Sequence, residues 1–200
     1  NEQIREVNPD AYVILEHLSD NDEETVLANH GMLLWGNLSH AYQEAAMGWL
    51  PQSNFNWISW QRRNWNDPNL IGYMESHDEE RIVFKNRTYG NSGNPAHDIK
   101  ELNTALKRME LVAAFFFTIP GPKMVWQFGE LGYDYSINHC PNGSIEDGCR
   151  TSPKPVRWDY YSDPARKRVY DIYAALIRLK TSEDVFRTRD YTLSLSGALK

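Results

Sequence analysis

Short apolar runs that end in polar residues recur along the chain and predict β-strands. Residues 11–18 and 70–75 are apolar runs that end in charged or polar groups, and residues 31–35 and 123–128 are shorter runs of the same kind. Near-continuous apolar runs of this length, bounded by turn residues, are typical of strands buried on both faces. The pattern therefore predicts four buried strands.

Helical patterns lie between and after these strands. Residues 98–117 carry apolar side chains at every third or fourth position, which is the spacing of one helix face. Asp163 followed by Pro164 is a start signal for a second helix, predicted to run to about residue 180. Asn37 or Ser39 can cap a shorter helix that ends near residue 47.

The remaining segments are predicted to be the end of a helix, two loops and a further strand. Residues 4–7 look like the tail of a helix that the following Asn-Pro-Asp stops. Residues 49–67 have no clean period and predict a long loop with a helical turn, and residues 86–95 predict a Gly- and Asn-rich loop. Residues 189–199 alternate between polar and apolar side chains and are expected to begin a separate β region.

Repeated strand–helix units of this kind predict an α/β fold with a parallel sheet and helices outside it. Polar residues at the carboxyl ends of such strands face the active site. Glu16, His77 and Asp78 occupy those ends. They are therefore the first candidates for chemistry.

Composition narrows the range of partners. The 200 residues carry a net charge of −6, and the basic residues are scattered along the chain. Phosphate backbones and anionic membrane surfaces would be repelled on average, so we expect no nucleic-acid partner. The longest apolar stretch, residues 111–120, is too short to cross a bilayer, and no membrane span is predicted.

Cys140 and Cys149 are the only cysteines and flank a short loop with turn residues. They form either a disulfide or two free thiols, and the spacing alone leaves both open. A bridged pair would indicate a secreted, periplasmic or cell-surface protein, whereas free thiols would suit the cytoplasm.

Two carboxylates on neighbouring strand ends, with an imidazole beside one of them, suit glycoside cleavage. A retaining enzyme needs an acid for the leaving oxygen and a carboxylate nucleophile about 5–5.5 Å from it. The pattern alone is not specific, because a buried Glu at a strand end is often a structural hydrogen-bonding residue.

The local sequences are more specific than the spacing. Residues 73–79 (YMESHDE) resemble the His-Asp motif on the seventh strand of the α-amylase family, a glycoside hydrolase clan built on a (β/α)8 barrel. Residues 116–132 (FFTIPGPKMVWQFGELG) resemble the family's eighth strand, and residues 13–16 (VILE) are similar to its fifth. The three matches occur in the family's order.

The resemblance implies a role for each candidate residue. Glu16 would be the general acid/base, and Asp78 the carboxylate that stabilises the transition state. His77 would donate a hydrogen bond to the sugar at the cleavage point, unless it is a structural histidine. His17 and Trp35 would contact substrate. Trp35 is favoured over the other candidate tryptophans, at positions 57, 60 and 65, because it ends a predicted strand.

The resemblance also implies that the chain holds only half of a catalytic barrel. Residues 1–188 would be strands five to eight, the C-terminal half of a TIM barrel, and residues 189–200 the start of a C-terminal β-sandwich domain. The family's nucleophilic Asp belongs to an earlier strand, and no Gly-x-Arg-x-Asp sequence occurs here. We therefore expect the chain alone to be inactive, and its open sheet edges to favour self-association.

Three functions follow from these expectations. The first is a retaining hydrolase of α-1,4-glucans such as starch, glycogen or maltooligosaccharides. The second is a 1,4-α-glucan branching enzyme, because residues 76–79 (SHDE) are similar to the branching-enzyme form of the motif. The third is a non-catalytic glucan-binding protein. No metal ligand or cofactor is assigned in this chain, although the family implies calcium in a full-length parent.

Overall fold

The computed structural model describes residues 1–195. Six helices and four strands follow one another along this part of the chain, in the order α1 Glu2–Val7, β1 Ile14–Leu15, α2 Asn21–Asn29, β2 Leu33–Asn37, α3 Ser39–Met47, β3 Leu70–Tyr73, α4 Ile82–Tyr89, α5 Leu102–Thr118, β4 Lys123–Met124 and α6 Pro164–Ser182. Short 3₁₀ turns occupy parts of the connections, including Trp60–Arg63, Gly129–Leu131 and Asp147–Cys149.

The four strands form one parallel sheet in the order β1-β2-β3-β4. Leu15 pairs with Leu34, Leu34 with Leu70, and Tyr73 with Met124, so each strand is hydrogen-bonded to the next strand in sequence. The α/β class and the parallel sheet are confirmed. Because all strands run the same way, their carboxyl ends meet at one edge of the sheet.

Two of the predicted strands are much shorter than the apolar runs that suggested them. The run at 11–18 pairs only over Ile14–Leu15, and the run at 123–128 only over Lys123–Met124. Within the described residues both strands lie at the sides of the sheet with one neighbour each, which limits their pairing. The expectation of full burial is wrong for β1, since Ile14 is 52% exposed.

The helices pack together on the sheet and enclose the main core. Helix α5 contacts α3, α4 and α6, and its apolar face is buried as its spacing predicted. The core cluster includes Tyr42 of α3, Met109 and Phe116 of α5, and Val169 and Tyr173 of α6. These contacts hold the sheet's helical layer as one unit.

Local capping signals explain where several helices begin and end. Asp163 Oδ1 accepts hydrogen bonds from the Ala165 and Arg166 amides, which confirms the start of α6. The Asn37 side-chain oxygen accepts from the Ser39 amide at the start of α3. Gly48 ends α3 at φ +83°, a left-handed conformation that glycine adopts without steric cost.

Helix α4 replaces part of the predicted loop at 86–95. Its first amide, at Ile82, donates a 2.7 Å hydrogen bond to Oε1 of Glu75, seven residues earlier. This cap comes from the end of β3 rather than from the residue before the helix, so the local start signals do not show it.

Residues 189–195 form no strand. Tyr191 instead packs against the core, and its hydroxyl lies 2.7 Å from Ser59 Oγ. The rest of the expected β segment, residues 196–200, lies outside the described residues. The domain boundary at residue 188 therefore stays a prediction.

Candidate active site

Glu16, His77 and Asp78 come together at the carboxyl edge of the sheet. Glu16 directly follows β1, and His77 and Asp78 follow β3, two strands away. One side-chain ligand atom from each of the three residues lies within 4.8 Å of the others. The sequence placed these residues at strand ends, and the parallel sheet brings those ends to one site.

The His77 imidazole lies between the two carboxylates. Its Nε2 is 3.4 Å from Glu16 Oε1 and 3.6 Å from Asp78 Oδ2. All three side chains are between 41% and 52% exposed, so water screens these charges and each exposed pair is worth at most about 1 kcal/mol. The cluster is thus open to a ligand rather than closed into a structural ion-pair network.

Aromatic rings flank His77 on two sides. Trp35 is the middle residue of β2 rather than its last, so the expectation that it ends a strand is wrong. Its ring nevertheless lies 5.9 Å from the His77 ring, and the Trp126 ring, just beyond β4, lies 5.8 Å from it. Trp35 also packs edge-on against Tyr73 at 5.4 Å. Apolar ring faces beside polar groups are suited to the C–H faces of a sugar.

A cleft of about 400 Å³ opens on the Asp78 side of the cluster. His77, Asp78, Trp126 and Arg150 all line it. Nη2 of Arg150 donates to the Asp78 carbonyl oxygen at 2.6 Å and to Asp78 Oδ1 at 3.1 Å. The cleft therefore combines acidic, basic and aromatic walls, as binding sites for polar ligands commonly do.

Two buried ionisable residues, Arg81 and Glu75, lie at or beside this cleft. Arg81, which also lines it, has its guanidinium 5.8 Å from the Trp126 ring and 5.5 Å from the Tyr133 ring. Burial lowers the pKa of Arg81, and burial raises the pKa of the neighbouring Glu75 carboxyl. Gly129 packs so closely on Glu75 that a Cβ there would clash with the carboxylate.

His17, the residue after Glu16, contacts Glu23. Its Nε2 lies 2.9 Å from Oε1 of Glu23, in the first turn of α2. Ser19 also donates to Glu23, and these contacts lower the pKa of the Glu23 carboxyl. The predicted substrate contact of His17 stays a prediction.

The other candidate tryptophans differ in how far they are buried. Trp60 and Trp65 are 6% and 3% exposed and belong to a small core cluster, whereas Trp57 is 44% exposed. Trp57 and Trp65 both lie against the guanidinium of Arg63, which forms a buried 2.9 Å ion pair with Glu24. Burial lowers the pKa of Arg63 to about 10.

Cys140 and Cys149 are joined in a disulfide, which decides between the two alternatives that the sequence left open. The bridge mildly favours an extracellular location, because disulfides persist in oxidising compartments. No helix within residues 1–195 is long and apolar enough to cross a membrane.

A second hollow lies away from the cluster. It measures about 580 Å³ and is lined by residues such as Pro122, Lys123 and Ile177. Lys123 begins β4, so this hollow lies toward the amino ends of the strands. Ligands of parallel α/β sheets bind at the carboxyl ends, which makes the cleft beside Asp78 the candidate site.

Glu16, His77 and Asp78 could also share a divalent cation, since imidazole and carboxylates are common ligands. Exposed acidic groups often lie this close without an ion, and we assign no metal. Arg150 and Trp126 are the site residues that sequence reasoning did not single out. Trp126 stands near the end of a predicted strand, and this position could have identified it. No local sequence signal identifies Arg150.

No protein-family model matches the chain, and no curated protein sequence is significantly similar to it.

Proposed function

We propose that this chain forms part of the active site of a retaining glycoside hydrolase that cleaves α-1,4-glucans. The observation that supports the proposal is the meeting of Glu16 and Asp78 at one edge of a parallel sheet, with His77 between them. These are the residues that carry the resemblance to the α-amylase family.

Each residue has a distinct role in the proposed reaction. Glu16 protonates the glycosidic oxygen as the bond breaks, and later accepts a proton from the attacking water. Asp78 stabilises the positive charge that develops on the sugar ring. His77 donates a hydrogen bond to a hydroxyl of that sugar, and Trp35 and Trp126 pack against its apolar faces.

The proposed reaction needs a nucleophilic carboxylate as well. We propose that the four strands are half of an eight-stranded barrel, and that a strand of the other half supplies this group. The parallel order β1-β2-β3-β4 is compatible with such a half. We further propose that the protein is exported, because its two cysteines are bridged.

Titration calorimetry with maltoheptaose tests the proposal on the chain itself. We expect binding, with weaker affinity in His77→Ala and Trp35→Ala, and little change in Glu16→Gln, which keeps the shape of the acid. His97→Ala, an exposed residue outside the cleft, is the matched control. Absence of binding, or equal binding of cellohexaose, would contradict the proposal.

An activity assay tests the incomplete catalytic set. Amylose incubated with the purified chain should release no new reducing ends, because the nucleophile is missing. Robust hydrolysis would refute that part of the proposal. In a longer, active form of the protein, Glu16→Gln should abolish turnover while glucan binding remains, and unchanged turnover would remove Glu16 from the acid role.

A branching transferase is the second candidate, and the SHDE sequence favours it. Glu79 of that sequence accepts hydrogen bonds from Ser76, which lines the cleft, and from Asn37 at the end of β2. Both enzymes would share the covalent intermediate and differ in the acceptor. New α-1,6 branches on amylose would indicate the transferase, and short linear sugars the hydrolase.

A further inference from the structure

A loop after β4 grips the segment that carries Asp78 at two points. We define the clamp loop as residues 136–150. At its start, Ser136 Oγ and the Ile137 amide donate to the two carboxylate oxygens of Glu80 at 2.6 and 2.8 Å. At its end, Arg150 donates to Asp78. The loop therefore holds residues 78–80 from both of its ends.

The Cys140–Cys149 disulfide closes the clamp loop between these two contacts. Lys154 donates to the carbonyl oxygens of His139 and Cys149, at 3.1 and 2.6 Å, and ties the two sides together beside the bridge. Arg150 follows Cys149 directly in the chain. The bridge thus restricts the position of the Arg150 backbone, from which the side chain extends.

The two oxygens of the Asp78 carboxylate have different neighbours. Arg150 binds Oδ1, while Oδ2 faces His77 Nε2 at 3.6 Å. A carboxylate that is 52% exposed has little packing to fix its rotation, so the arginine is its main directional contact on the cleft side. Because each oxygen has its own neighbour, Arg150 and His77 together fix the orientation of the carboxylate plane relative to the cleft.

We propose that Arg150 is a positioning residue for Asp78, and that the Cys140–Cys149 bridge holds Arg150 in place. The proposal rests on the proposed function for its catalytic meaning. It adds that the disulfide next to Arg150 determines how well the carboxylate is oriented for the sugar. An exposed ion pair adds little to global stability, so the expected effect is local to the cleft.

Hydrogen exchange tests the clamp independently of any ligand. Amides of residues 76–82 should exchange roughly two- to fivefold faster in Arg150→Gln and in the Cys140→Ser/Cys149→Ser variant, the size expected for an exposed ion pair. Arg168→Gln is the matched control, because it removes an exposed arginine paired with Glu110 on the helical side. Unchanged exchange in Arg150→Gln would overturn the proposal.

A double-mutant cycle on maltoheptaose affinity tests positioning. Arg150→Gln should weaken binding roughly two- to fivefold, and Arg150→Lys should restore part of the loss because it keeps the charge. In an Asp78→Ala background Arg150→Gln should have no further effect. An equal loss in both backgrounds would overturn the role through Asp78.

The two experiments separate the two proposals. If the unaltered chain binds no glucan, the proposed function fails, and the exchange rates still decide whether the loop holds Asp78. If the chain binds glucan but exchange is insensitive to Arg150, the clamp fails alone.

Discussion

The buried hydroxyl of Tyr42 offers a sharp test of the core. Tyr42 is 0% exposed, stacks on Phe55 at 4.7 Å between ring centroids, and meets Phe116 edge-on at 5.7 Å. Within the described residues its hydroxyl has no hydrogen-bond partner. The same burial raises the pKa of this hydroxyl well above its usual value.

Tyr42→Phe should therefore stabilise the protein. A buried polar group without a partner costs about 1–3 kcal/mol, and the substitution removes it while both ring contacts remain. We expect a gain of about 1 kcal/mol in the free energy of unfolding. With a urea dependence of about 2 kcal/mol per molar, the unfolding midpoint should rise by about 0.5 M.

Urea unfolding followed by tryptophan fluorescence and by circular dichroism measures this change. Tyr42→Leu is the matched control, because it also removes the hydroxyl but loses the aromatic contacts, and it should lower the midpoint. A lower midpoint in Tyr42→Phe, by a similar 0.5 M, would show that the hydroxyl has a partner and would refute the reasoning.

Three further predictions concern pH, capping and association. Burial raises the pKa of Glu75 above 4.5, so the folded state binds this proton more tightly and stability should fall as pH rises from about 4.5 through the raised pKa. Glu75→Gln should flatten that dependence in urea unfolding at several pH values, and an unchanged slope would contradict it. Asp163→Ala should lower stability by about 0.5–2 kcal/mol through loss of the α6 cap, measured by thermal unfolding; an unaltered midpoint would count against the cap. Because β1 and β4 each lack a second neighbour in the described sheet, sedimentation at high concentration should show self-association, and a strictly monomeric profile would argue against it.

The long helices and their caps could be predicted from local sequence. The 3.6-residue spacing located α5, and Asp163 with Pro164 located the start of α6. Both signals depend on residues within one or two helical turns. Helix α4 could not be found this way, because its cap is Glu75, which the fold brings from the end of β3.

Strand length was decided by neighbours rather than by composition. The apolar runs at 11–18 and 123–128 pair over two residues each, since each strand has one partner in the described sheet. A strand is stabilised by hydrogen bonds to other strands, and the residues of the strand itself do not specify how far those partners extend.

The candidate site, too, was predicted in part from the sequence and determined in part by the tertiary structure. The sequence by itself determined that Glu16, His77 and Asp78 lie at one edge of the sheet, because they stand where apolar runs end, and parallel strands bring such ends together. Only the tertiary structure decided that His77 lies between the carboxylates, that His17 faces Glu23, and that Arg150 grips Asp78. These contacts join residues through space, up to 72 positions apart in the chain, and no local pattern encodes such a distance.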